Sequence, residues 1–186
     1  AFAMARKMVD PASTSEWIDV AGAHVVFDGV DSPVTQTFGL GIHEPADARA
    51  LETIEAFYAE RGAPTHHEVS PLVDFALPAL MSDRGYRPIE FTSIMYRPIS
   101  HALETAPQSN VTARRADSSD AKTWVDVSVE GWSEYAEYAD VIRECEVINA
   151  GRDDLELFLA EKDGRPIAAG ALAIDDDVAY LAGAST

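Results

Sequence analysis

The sequence predicts an α+β protein of two half-modules, each with a mixed, largely antiparallel sheet flanked by helices. Three observations carry that expectation. Stretches rich in Val, Ile, Tyr and Phe end on turn signals, of which Asp163-Gly164 is the clearest. Between them, apolar residues recur every three to four positions, as at Leu51, Ile54, Phe57 and Tyr58. The polar stretch 101–110, HALETAPQSN, contains Pro107 and shows no periodicity, and a new pattern begins after it. The expected boundaries are therefore 1–100 for a first module, 101–110 for a linker and 111–186 for a second.

Ser13-Thr14-Ser15-Glu16 has the form of a helix start, so a short helix through Trp17, Ile18 and Val20 is expected. Strands are expected at 24–28 and 35–42, with Gly29 and Ser32-Pro33 turning the chain between them. Pro45 falls where the first turn of a helix tolerates proline. That helix carries Leu51, Ile54, Phe57 and Tyr58 and stops at Gly62 and Pro64. Residues 66–70 form a short strand candidate. Pro78 limits the next helix to about two turns, ending before Gly85. Residues 86–98, YRPIEFTSIMYRP, are rich in β-formers and broken by Pro88, which suggests one bent strand or two.

Past the linker a strand is expected at 111–115. Asp117 and the two serines after it can cap a helix bearing Ala121, Trp124, Val125, Ser128 and Trp132 on one side. A second helix runs through Val141, Ile142, Cys145 and Ile148 and closes at Gly151. Strands at 155–162, 166–174 and 178–186 complete a meander, with turns at Asp163-Gly164 and Asp175-Asp176-Asp177.

Composition narrows the classes of partner. Thirty-two acidic residues against 14 Lys and Arg leave a net charge of −18, which repels phosphate backbones and disfavours nucleic acid and anionic membrane. The same field attracts a cationic substrate such as an amine. Cys145 is the single cysteine, so neither an intrachain disulfide nor a cysteine-based zinc site is available. Set among Val141, Ile142 and Ile148, it reads as a buried apolar filler. No apolar run approaches the ~20 residues needed to cross a bilayer, and the opening AFAMARKMVD lacks the apolar segment of a secretory signal. A cytoplasmic, reducing setting is expected, with Met4 as the first native residue.

The last two strands are unusually rich in small residues: PIAAGALAI, then Ala182, Gly183 and Ala184. Small side chains let another body approach the backbone. That body is either a helix packed on the sheet or a ligand, and composition leaves both open.

On these residues the second half resembles the front half of a GNAT-superfamily N-acetyltransferase. The likeness rests on the strand-helix-helix-meander order, the hairpin FLAEKDGRPIAAGALAI and the strand VAYLAGAST. In that family the last of these strands leads into an R-x-x-G-x-G/A loop that opens a helix. Backbone groups at the strand end hold the pantetheine arm of acetyl-CoA, and the loop's amides wrap its pyrophosphate at a positive dipole end. The resemblance thus implies acetyl transfer from acetyl-CoA to an amine of a small molecule or peptide. It assigns Gly183, Ala184, Ser185 and Thr186 to the cofactor and requires no metal. The loop motif does not occur in the 186 residues, so a second module cut before it, and inactive as this chain, is expected.

Residues 24–98 resemble a degenerate first copy of the same module. TQTFGLGI at 35–42 stands where VAYLAGAST stands, and the helix of Leu51, Ile54 and Tyr58 follows where the cofactor helix belongs. ALMSDRGYRPIEFTSIMYRP resembles the closing helix, Gly-aromatic turn and last strands. After Ile42, however, the chain reads HEPADA. Glu44 and Asp47 would repel a pyrophosphate and Pro45 has no amide to donate, so the first copy is expected to be structural, closing one side of the acceptor site.

Transfer to an amine needs a base for its proton, donors for the thioester oxygen and a proton for the leaving thiolate. The family often gives that last task to a tyrosine on a helix that would follow Thr186. Glu130 and Glu134 are candidate bases acting through water, against the plainer reading as solvated carboxylates. Trp132, Tyr135 and Tyr138 are candidates for the acceptor pocket, against interhelix packing. Two other classes stand beside the enzyme. One is a non-catalytic module that uses the fold to bind a ligand or partner. The other is a metal-dependent enzyme at His66-His67-Glu68, although in a strand His66 and His67 point to opposite faces. A last strand without its following helix exposes an edge, which a second copy, a swapped segment or further sequence is expected to cover.

Overall fold

The structure, a computed structural model, describes residues 2–99 and 110–186. The expected linker therefore lies outside the described residues except for Asn110. In chain order the elements are α1 (Phe2–Val9), β1 (Glu16–Val20), β2 (Ala23–Phe27), β3 (Thr37–Phe38), α2 (Ala48–Ala59) and α3 (Ala76–Asp83). There follow β4 (Val111–Arg115), α4 (Ala121–Gly131), α5 (Ala139–Ala150), β5 (Leu155–Lys162), β6 (Arg165–Asp175) and β7 (Val178–Ser185), with 3-10 turns at Ser118–Asp120 and Ser133–Tyr138. They divide into two compact units, Ala12–Leu103 and Ala1–Pro11 with Glu104–Thr186.

In the unit Ala12–Leu103 the sheet order is β1-β2-β3, with both pairs antiparallel. Trp17, Ile18 and Val20, expected in a helix, lie instead in β1. The reason is local. Ile18 and Val20 are half-buried and alternate with the exposed Trp17 and Asp19, a period of two. Ala21 and Gly22 both adopt positive φ, 48° and 70°, the conformation of a two-residue hairpin turn that matches strand twist. Pairing of Glu16 with Phe27 through Val20 with Ala23 then outweighs the serine cluster. The Ser13 hydroxyl merely accepts from the Ser15 amide at 3.1 Å.

β3 covers two residues rather than the eight expected at 35–42. The Thr35 hydroxyl is engaged in the preceding turn, accepting from the Asp28 amide at 2.9 Å and donating to Gly29 O at 2.6 Å. The chain turns again at Gly39, where φ is 80°. Of the candidate strand at 66–70, a single parallel bridge from His67 to Thr37 forms. α2 starts at Ala48, capped by the Asp47 carboxylate accepting from the Ala50 amide at 2.9 Å, so Pro45 precedes the cap rather than occupying the first turn. α2 lays Leu51, Ile54, Phe57 and Tyr58 on Val25, Phe27, Leu40 and Leu77. The Tyr58 hydroxyl donates to Val26 O at 3.1 Å, satisfying the one polar tip that this core buries on α2.

Residues 86–98, expected as strand, pair with nothing among the described residues. Phe91, Met95 and Tyr96 are about nine-tenths exposed. β-forming composition describes a fit to a sheet surface and cannot supply the neighbouring strand; Pro88 and Pro98 also remove donors at both ends.

In the second unit the sheet order is β4-β5-β6-β7, antiparallel throughout. β4, α4, α5 and the meander fall where the sequence predicts, except that Asp175 belongs to β6 and the last turn is Asp176-Asp177. α4 is led in by a reciprocal cap: the Asp117 carboxylate accepts from the Ser119 amide at 2.8 Å and Asp120 from the Asp117 amide at 3.0 Å. Arg114 of β4 clasps Asp120 through both terminal nitrogens, at 2.6 and 2.9 Å, and donates to Glu161 of β5 at 2.8 Å. That guanidinium holds the Asp120 carboxyl down at about 2. α1, unassigned from the sequence, packs in this unit and pairs Arg6 with Glu144 of α5. Trp124, Val125, Leu159 and Ala169 form the core between α4 and the sheet. Cys145 is half-buried rather than a core filler.

Candidate functional site

The small-residue end of β7 is where the regular ladder breaks. Ala171 of β6 pairs with Ala182, but the next pair is Ala169 with Ser185. Gly183 and Ala184 therefore stand opposite Gly170 alone, a β-bulge that bends the strand and takes one residue out of the ladder. Gly183 supplies the required left-handed φ of 63°.

α4 is fastened over this bulge from two sides. The Trp124 indole N–H donates to Gly170 O at 3.1 Å, on the residue facing the bulge. At the other end, Gly131 lets the helix and the strand end meet. A methyl on Gly131 would stand 2.6 Å from Ser185 Cβ and 2.8 Å from the Thr186 nitrogen. Of the two explanations for the small residues, a closely packed helix is thus realised on this part of the sheet. Gly131→Ala is expected to lower the stability of this unit by about 1–3 kcal/mol, the cost of overpacking, despite the ~1 kcal/mol that alanine otherwise gains in a helix. Gly170→Ala, whose methyl would meet only Ala184 at 3.9 Å, is the control expected to be tolerated. Urea titration of the two variants tests the contrast.

Beneath the bulge lies a buried polar chain that sequence reading missed. Ser185 Oγ donates to Ser128 O at 3.1 Å, and Ser128 Oγ donates to Glu146 Oε1 at 2.9 Å. Asn149 Nδ2 donates to Glu146 Oε2 at 3.2 Å. Glu146 is only 6% exposed, and burial pushes its carboxyl pKa up against the two hydrogen bonds, which pull it down. The signal was present in the spacing. Glu146 lies four residues after Ile142 and three before Asn149, on the helix stripe that also holds Ile142. Treating that stripe as apolar passed over it.

The assigned residues distribute as follows. Gly183, Ala184 and Thr186 are exposed at the strand end, while Ser185 is turned into the buried chain. Trp132 caps α4 and is half-buried, its ring 6.0 Å from that of Tyr135. Tyr135 breaks the 3-10 turn at φ −110°, ψ 47°. Tyr138 caps α5 and is 57% exposed. Glu130 and Glu134 are both exposed. The structure therefore brings Trp132 and Tyr135 together and leaves Tyr138 open to solvent.

In the other unit, His66 points outward and His67 inward, as alternation requires. The His67 ring lies 5.0 Å from that of Tyr86 with both nitrogens lacking a hydrogen-bond partner, and burial pulls its pKa down to about 4. Tyr86 donates to Glu55 at 2.9 Å, and Arg84 clasps the same carboxylate, beside an open depression of ≈ 450 Å³. Both groups of that ion pair are satisfied by one another, so this depression has less chemistry to offer than the bulge. Among the described residues no three His, Cys, Asp or Glu side chains are placed to hold a metal ion. None of their helices is long and apolar enough to cross a membrane.

No family model matches the chain, and no curated protein matches it. Among solved structures, a GCN5-related N-acetyltransferase from Kribbella flavida matches with a TM-score of 0.60 at 19% identity, over all of this chain and 72% of that one. The fold is an α+β, GNAT-like fold.

Proposed function

We propose that this chain, whose fold is that of the GCN5-related N-acetyltransferases, carries the acyl-thioester seat of an acyl-CoA-dependent N-acyltransferase. The observation that carries the reading is the bulge at Gly183-Ala184, next to the strand end on which Gly131 lets α4 pack closely. A strand end with exposed, minimal side chains at Gly183 and Ala184 fits a slender thioester arm, which needs backbone contact more than side-chain pockets. Backbone groups of Gly183, Ala184, Ser185 and Thr186 hold the arm of acetyl-CoA on this reading. Trp132 and Tyr135, with Tyr138 at the rim, shape the approach of the acceptor. When bound, the thioester supplies an activated acyl carbonyl. The chain's own part is to fix that carbonyl at the bulge and to admit an amine.

The acceptor is an amine of a small molecule or peptide, drawn by the net charge of −18. That charge also argues against nucleic acid and anionic membrane as partners. The single cysteine suits a reducing, cytoplasmic setting. β7 ends the order of its sheet, and a second copy or a swapped segment covers that edge on this reading.

The test titrates the isotope-labelled chain with acetyl-CoA and, separately, with S-acetyl-pantetheine, following backbone amides by NMR. The second ligand is needed because residues 1–186 contain no R-x-x-G-x-G/A motif. Saturable shifts centred on Gly183–Thr186 are expected with both. Shifts elsewhere only, or none at millimolar ligand, would overturn the reading.

A further inference from the structure

Two segments of this chain lack a β partner among the described residues, and they fit one another. The first is the edge of β7 that faces away from β6. From Val178 to Ala182 it reads VAYLA, with none of the charges, prolines or bulges that ordinarily blunt an edge. The bulge begins only at Gly183. Val178, Tyr180 and Leu181 all lie largely in solvent. The second is the centre of the unpaired run, residues 92–96, TSIMY. It too carries no charge and no proline, and Ile94, Met95 and Tyr96 are at least 75% exposed. Contiguous apolar exposure on this scale marks an interaction surface.

Charge and proline placement fix the occupant and its direction. Arg87 and Arg97 bracket the run, and neither has an ion-pair partner among the described residues; the same is true of Asp175, Asp176 and Asp177 at the start of β7. In a chain of net charge −18, an apolar strand bracketed by arginines is complementary to the acidic surface of another copy. Antiparallel pairing that sets Arg97 against Asp177 lays Tyr96 on Val178 and Ile94 on Tyr180, and ends with Thr92 on Ala182. Pro98 then falls opposite Asp176 in the turn and Pro88 opposite Thr186, both outside the ladder. Parallel pairing with Arg87 against Asp177 would instead bring Pro88 into the ladder, where its missing N–H is disfavoured. Each chain carries one such run and one such edge, so two copies related by a twofold axis exchange them reciprocally and close.

We propose that this chain forms a twofold dimer in which residues 92–96 of each copy add as an antiparallel strand to the Val178–Ala182 edge of the other. This rests on the second-copy cover named above for the β7 edge, and not on the thioester seat. The added strand stops where the bulge breaks the ladder, so Gly183–Thr186 stay open beyond its end.

The experiment measures the mass of the full chain by light scattering across a concentration series. A rise from one chain mass to two is expected. Arg97→Asp should weaken the dimer about tenfold, since each exposed ion pair occurs twice and becomes a repulsion. Combining it with Asp177→Arg should restore the wild-type affinity, and failure to restore it overturns the pairing. Cross-linking fixes the contact. Met95→Cys and Ala179→Cys, each placed in a Cys145→Ser chain, are exposed positions set opposite one another by this register. On oxidation the two variants mixed together should give a disulfide-linked dimer that neither gives alone. A monomer at every concentration overturns the inference. So does a chain with both cysteines that closes the bond within itself and stays monomeric, which would make the occupant the same chain. No thioester enters these measurements, so their outcome is separate from that of the amide titrations at Gly183–Thr186.

Discussion

Trp124→Ala is expected to destabilise the unit of residues 1–11 and 104–186 by about 3–5 kcal/mol, the usual cost of truncating a buried aromatic. Trp124 is wholly buried, packs on Val125, Leu159 and Ala169, and ties its indole N–H to Gly170 O. Two separate losses follow from one truncation: a cavity under α4, and an unpaired carbonyl opposite the bulge. Trp124→Phe separates them, keeping most of the volume while deleting the hydrogen bond, and should cost only about 1–2 kcal/mol. Urea unfolding of the three proteins measures the difference. A loss in Trp124→Ala below about 1 kcal/mol would show that this core collapses freely around the gap, contrary to close packing. Because Trp124 also fixes Gly170, the amides of Gly183–Thr186 should change in Trp124→Ala even where the variant remains folded.

In the unit Ala12–Leu103, stability is expected to fall by about 3 kcal/mol as the pH drops from about 6.5 to about 4, through His67 alone. The sign follows from its lowered pKa. Below 6.5 the unfolded imidazole takes up a proton that the native ring refuses until about 4. Across that window the unfolded state binds more protons, so lower pH favours unfolding. Below about 4 the contribution of this group levels off. Burial is the main cause; Glu55 opposes it and the neighbouring His66 adds to it. His67→Phe keeps a ring against Tyr86 and removes the proton site. The difference in unfolding free energy between variant and wild type should therefore widen toward acid pH, while nearby carboxylates titrate in both proteins. A constant difference between pH 7 and 4.5 would sink this account.

The second unit was the more legible from sequence because its signals are local and agree with one another. Asp163-Gly164 dictates a hairpin, Asp117 caps the turn before α4, and Gly151 closes α5. The first unit was misread where two local signals compete. Ser13-Thr14-Ser15-Glu16 favours a helix start, yet Ala21-Gly22 forms a tight reversal whose five paired residues decide the outcome. Residues 86–98 failed for another reason: their strand character needs a partner edge that no short-range signal provides. At the site, the small residues of β7 pointed to a close approach, and the bulge lies among them. Glu146 was hidden because a buried carboxylate looks, in a sequence, like any other acidic position on a surface helix. Its environment is made by Ser128 and Ser185, which are distant along the chain.

The meander of β5, β6 and β7 also sets an order of assembly. Each of its turns closes a very short loop, at Asp163-Gly164 and Asp176-Asp177, so its contacts form at small entropic cost. β4 reaches β5 only after α4 and α5 have been looped out between them. Sequence-distant pairings of that kind slow a transition state that must contain them. The bulged hairpin is thus expected to be present early, with β4 and its Arg114 clasp added late. Substitutions at Ala171 or Leu159 should then slow folding, whereas Arg114→Ala should mainly quicken unfolding.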